Sequence, residues 1–176
     1  MAKHGPDEYL ADVEASFGAD LDAVTVYNLV RTQSYLAPFI DSGLRRENLT
    51  AAQFNALLVL QVADEDGLLM GQIGDRLVVT RANVTGLVDR LERQGLVARD
   101  KTADRRATMV SLTDAGCAIL KDTLPHYSRL AAQLTAGLTE REKRTLVRLL
   151  SKLRRELRRQ RRKMAADPAS TENPTE

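Results

Sequence analysis

Thr80, Arg81, Asn83 and Thr85 fall within one window of six residues, in a segment that otherwise turns apolar every three or four positions. Their side chains offer what the edge of a base needs. Arginine bonds guanine bidentately, asparagine reads adenine, and threonine presents a methyl group to thymine. Arg90 adds a cation later in the same segment, and a helix beginning there favours a phosphate at its N-terminus. A second group, Asp104-Arg105-Arg106, sits between two short strand-like runs. A narrow minor groove concentrates negative potential and attracts inserted arginine. Asp104 can orient a neighbouring guanidinium by a charge-assisted bond. Taken alone, the first group also fits an ordinary surface helix and the second a solvated turn.

The elements that must hold these groups are legible from period and punctuation. Thr50-Ala51-Ala52-Gln53 and Thr139-Glu140-Arg141-Glu142 fit the capping-box pattern, and Thr80 and Thr113 stand just before helical periodicity. A first helix is predicted over about 21–42, with a kink or an early end at Pro38. A second follows Thr50 and turns Phe54, Leu57, Leu58 and Val62 toward the core. A third covers about 70–77, weakened by Gly71 and Gly74. The fourth starts at Thr80, and Val84, Leu87, Val88 and Leu91 form a single apolar face that Gly95 ends.

The period then changes. Residues 96–99 and 107–112 read as two strands, with residues 104–106 at the tip between them. A fifth helix opens at Thr113, bends near Pro125 and breaks at Gly137. The sixth opens at Thr139, and Leu146, Leu150, Leu153 and Leu157 step by four and three as a coiled-coil seam does. Helices three and four form a helix-turn-helix candidate. With the hairpin directly behind them, the order is that of a winged helix.

Composition bounds the function. The 176 residues suit about one domain. Aromatics are 4% with no Trp, so the core rests on Leu, Val, Ala and Ile and favours helix packing. Cys117 is the single cysteine; it excludes an intrachain disulfide and fits a reducing cytoplasm, with an inert core role preferred over redox sensing. No signal peptide or membrane-length apolar run is found, so a cytoplasmic protein with no membrane partner is expected. His4 and His126 are the two histidines, and there is no phosphate loop, metal-ligand cluster or nucleophile pattern. No catalytic residue, metal or cofactor is therefore expected.

The stretch TRANVTGLVDRLERQGLVARDKTADRRATMVSLTDAG resembles the DNA-binding lobe of the multiple-antibiotic-resistance regulator (MarR) family of winged-helix transcription factors. The matching pieces are VTGLVDRLERQGLV, DRR and VSLTDAG, within a likeness that covers about residues 21–157. The resemblance implies a mainly α fold: a winged helix-turn-helix lobe on a helical dimerisation base, with six helices and a two-stranded β-wing. It implies a homodimer on double-stranded DNA at a pseudo-palindromic operator, and repression relieved by a small aromatic or anionic effector. By position, Arg81, Asn83 and Thr85 would face the major groove. Asp104 and Arg106 would form the wing signature, with Arg106 in the minor groove.

The expected layout is an acidic segment over 1–20, a dimerisation helix over 21–48, the winged lobe over 49–112, dimerisation helices over 113–163 and a disordered tail over 164–176. Arg31, Tyr35, Phe39, His126 and Tyr127 can line an effector pocket, since aromatic walls with a cation suit an aromatic acid; plain packing explains them equally. The basic run from Lys152 to Lys163 either reaches toward phosphates or solvates a helix end. The second reading is preferred, because cations are favourable near a helix C-terminus. A winged helix used only as a protein-interaction module is the alternative to DNA binding, and the arginines at 81, 105 and 106 argue against it.

Overall fold

The computed structural model describes residues 13–63, 67–77, 81–101 and 108–166. The chain divides into two units, Met1–Thr50 and Ala51–Glu176.

In the first unit, helical residues 13–16 precede helix α1 (Leu21–Leu44). Asp20 caps α1, accepting from the Ala23 N–H at 3.0 Å. Asn28 donates to Glu14 at 2.7 Å, and the Phe17 and Tyr27 rings lie 5.7 Å apart. These two contacts fasten the preceding turn to α1. The helix continues past Pro38 to Leu44, so the early end expected there does not occur. A 3₁₀ turn, Arg45–Glu47, closes the unit, with Asn48 in the left-handed region at φ 54°. Asparagine tolerates that region better than most residues.

The second unit contains α2 (Ala51–Gln61), β1 (Leu68–Leu69), α3 (Met70–Leu77), α4 (Arg81–Arg93), β2 (Val97–Lys101), β3 (Thr108–Leu112), α5 (Asp114–Leu134) and α6 (Glu140–Ala166). The sheet order is β1-β3-β2, antiparallel throughout. The wing sheet therefore has three strands where two were expected. β1 pairs Leu68 with Val110 and Leu69 with Met109. Gly67 makes this possible: its φ is 85°, and a Cβ there would overlap the Val110 carbonyl.

The core is built from Phe54, Ala56, Leu57 and Leu60 of α2, Ile73 of α3, Val84, Leu87, Val88 and Leu91 of α4, then Leu96, Val97, Val110 and Leu120. Each buried Leu or Phe removes enough apolar surface from water to contribute about 1.5–3 kcal/mol. Gly74 is buried in α3, as a close helix crossing requires. Val62 departs from expectation: it lies beyond the end of α2 and is 80% exposed. The capping box at Thr139 is present, with Glu142 Oε2 accepting from the Thr139 N–H at 2.8 Å and Thr139 Oγ1 accepting from the Glu142 N–H.

Candidate nucleic-acid interface

Helix α4 divides its residues as its apolar period demands. Val84, Leu87, Val88 and Leu91 are at most 4% exposed. Asn83, Thr85 and Arg90 are exposed on the helix surface. Arg81 opens α4, but its side chain, like Thr80, lies outside the described residues. Asp104, Arg105 and Arg106 also lie outside them. The strands that carry that tip are described, and they pair in register from Val97–Leu112 to Lys101–Thr108. The described polar residues of α4 thus lie away from its buried apolar face, and the strands on either side of residues 102–107 are paired.

One ion-pair cluster ties these two parts together. Arg99 of β2 reaches Asp89 at 2.6 Å and Glu92 at 2.9 Å, both on α4. The two carboxylates are three residues apart, so they share a helix face. Arg99 is 24% exposed, shielded enough for the pairing to resist screening better than a fully solvated bridge does. The cluster fixes the base of the wing against the recognition helix. Sequence reasoning missed it. The available signal was an acid pair spaced by three before the Gly95 stop, with an arginine in the middle of the next strand.

A second junction holds the exit of α4. Gly95 at φ 72° ends the helix, and its carbonyl accepts from Thr113 Oγ1 at 2.6 Å. The same hydroxyl caps α5 by accepting from the Gly116 N–H at 3.1 Å. Gly116 lies so close to the Leu96 carbonyl that a Cβ there would overlap it. Gln53 of α2 donates to Gln94 at 2.8 Å beside this junction. Recognition helix, wing and α5 are therefore welded at one point.

The residues expected to line an effector pocket fall into two groups, one in each unit. On α1, Arg31 donates to the Tyr35 hydroxyl at 2.9 Å, and its guanidinium lies 5.3 Å from that ring's centre. Arg31 and Tyr35 line a shallow hollow with Tyr27, Val30 and Ser34. Phe39 is 54% exposed on the same helix. On α5, Tyr127 packs its ring 4.9 Å from that of Phe54, and Arg129 donates to His126 Nδ1 at 2.7 Å. Cys117 is exposed on α5, contrary to the core role preferred for it. Among the described residues no cluster of His, Cys, Asp and Glu is arranged to hold a metal, and no helix is long and apolar enough to cross a membrane.

A helix pair closed by a three-stranded wing, with the second helix showing small polar groups outward, defines a winged-helix DNA-binding transcriptional regulator. A family model described as MarR family matches residues 47–107. The transcriptional repressor YetL of Bacillus subtilis (strain 168) is 28% identical over 156 residues, covering 84% of this chain and 91% of the relative. A probable transcriptional regulator from Pseudomonas aeruginosa is 30% identical, with a TM-score of 0.68 over 76% of this chain and 98% of that one. A MarR mutant from E. coli, solved in complex with operator DNA, is 28% identical, with a TM-score of 0.67 over 77% of this chain and 99% of that one. The chain belongs to the MarR family.

Proposed function

We propose that this regulator is a repressor that binds a pseudo-palindromic operator as a homodimer. The exposed polar side of α4, standing on a face whose four apolar residues are buried, carries the reading. Arg81, Asn83 and Thr85 read base edges in the major groove, with Thr80 at the helix start and Arg90 toward the backbone. Arg106 enters the flanking minor groove, with Asp104 and Arg105 beside it at the wing tip. Two apolar faces support the dimer. Leu21, Val26, Val30 and Phe39 of α1 are exposed, as are Leu146, Val147, Leu149 and Leu157 of α6. A two-fold pair that covered them would set two recognition helices about 34 Å apart, one turn of duplex.

Release by an aromatic acid fits the Arg31–Tyr35 pair on α1, which couples a fixed cation to an aromatic wall. Phe39 extends that wall. His126 and Tyr127 have local partners in Arg129 and Phe54, so the α1 group is the stronger anchor for such a ligand. Binding by benzoate-type carboxylates, followed by calorimetry, is expected to weaken in Arg31→Ala and to persist in Tyr127→Phe.

Selection of bound fragments from genomic DNA tests the main reading. A sequence-specific, strongly salt-dependent complex with two protomers per duplex is expected, because each neutralised phosphate releases counterions. Arg81→Ala is expected to lose about 1–3 kcal/mol and to relax base preference at one position of each half-site. Arg106→Ala weakens binding chiefly where the flanking minor groove is narrow. Equal affinity of the parent protein for selected and scrambled fragments would refute the reading.

A further inference from the structure

Helix α6 runs without interruption from Glu140 to Ala166. Arg141, Arg144, Arg148, Lys152, Arg155, Arg159 and Arg162 are all exposed on it. Their spacing of three and four places all seven in a stripe about 80° wide, at about 100° of turn per residue. Leu146, Leu150, Leu153 and Leu157 lie on the opposite side of the helix by the same count. The stripe is about 32 Å long, close to the ~34 Å of one duplex turn. Arg141, Arg144 and Arg148 line one surface hollow along it, and Arg155, Arg158, Arg159, Arg162 and Lys163 line another.

An ordinary solvated face does not account for this arrangement. Arg159 is paired with Glu156 at 2.9 Å, but among the described residues the other six stripe cations have no ion pair. Like charges four apart on a helix repel, and the stripe contains Arg144–Arg148, Arg148–Lys152 and Arg155–Arg159 in that relation. The helix dipole helps only within the last turn, whereas the stripe begins one residue inside the start of α6. The favourable-cation reading of the basic run therefore covers Lys163 and leaves the rest without a cause. Six of the seven residues are arginine, whose planar fork matches phosphate oxygens bidentately. Leucines lie opposite the stripe only as far as Leu157, and residues 158–163 contain no apolar residue, so the most basic part of the helix lacks the inserting face of a membrane-surface helix.

We infer that this stripe is a second DNA-binding surface, which holds the phosphate backbone of duplex outside the segment read by α4. It rests on the reading of the chain as a DNA-binding regulator and adds a sequence-independent contact to it. Its occupant is duplex DNA; an anionic membrane is the alternative that the test must expose.

The test compares the full chain with Arg144→Gln/Arg148→Gln/Arg155→Gln, exposed positions where glutamine keeps the helix. Affinity is measured against salt by fluorescence anisotropy on three duplexes: a short one spanning only the selected operator, a longer one with flanks, and a random sequence of the longer length. On both longer duplexes the variant's log–log salt slope should be shallower by about 2–3 units for each protomer whose stripe is engaged, at about 0.9 for each phosphate no longer neutralised. The short operator should be bound as by the parent. The corresponding triple lysine variant should retain the slope. Unchanged slopes on both longer duplexes would overturn the inference even with specific operator binding intact. Loss of operator preference by the parent, with the slope change still present on random duplex, would instead remove the recognition reading and leave the stripe standing. Binding of the parent to phosphatidylserine vesicles, with DNA slopes unaltered by the substitutions, would assign the stripe to a membrane and also overturn the inference.

Discussion

Gly116 shows how little room the functional lobe leaves at its centre. A methyl group there meets the Leu96 carbonyl, and although the neighbouring Leu112 side chain can shift, that backbone cannot move without disturbing the junction. Gly116→Ala is expected to destabilise the protein by about 1–3 kcal/mol, the usual range for overpacking, measured by urea denaturation at constant m-value. Leu91 makes the opposite case. It is 0% exposed at the end of the apolar face of α4. Leu91→Ala should lose about 2–5 kcal/mol through transfer and cavity terms together. Arg99 differs from both, because its partners are on the half-exposed surface. Arg99→Ala should lower stability by about 1 kcal/mol or less. It should weaken operator binding more than stability, because it frees the wing from α4. A fall in affinity no larger than the fall in stability would show that the wing keeps its place without the pair.

At the scale of elements, α4 was legible because four apolar residues at steps of three and four, followed by a glycine, have no comfortable reading as a strand. The hairpin was legible because the period changes at once after Gly95. β1 was not legible. Two residues are too few to show a period, and Leu68 and Leu69 become a strand only because Gly67 lets them approach Val110. The Arg99 cluster was hidden for a related reason: an ion pair between a helix and a strand has no spacing rule until the pairing of the strands is known. Pro38 misled because an interior proline predicts trouble for a helix, yet α1 carries on to Leu44.

The start of α6 is an element whose local chemistry can be read directly. Side-chain and backbone hydrogen bonds from Thr139 hold the Glu142 carboxyl below its ordinary pKa. A carboxylate depressed in the fold contributes stability above its unfolded pKa, and that contribution is lost as pH falls through the folded value. The first turn of α6 should therefore fray in acid. In Thr139→Ala the Glu142 carboxyl should titrate nearer the ordinary range in an NMR pH series. An unshifted titration would remove the capping box as its cause.

For the whole molecule, apolar side chains on α1 and α6 are exposed, and the proposed two-fold pairing would cover them. Light scattering should report a dimer, and Leu150→Arg/Leu157→Arg should shift it toward monomer with loss of cooperative operator binding. Within α6 the leucines lie on one side of the helix and the stripe arginines on the other.

The most direct measurement is methylation protection of guanine N7 on a selected operator. Two protected major-groove patches, centred about 10 base pairs apart, are predicted, each fading in the Arg81→Ala protein. Protection confined to one patch, or unaffected by that substitution, would contradict the claim that paired α4 helices read the duplex.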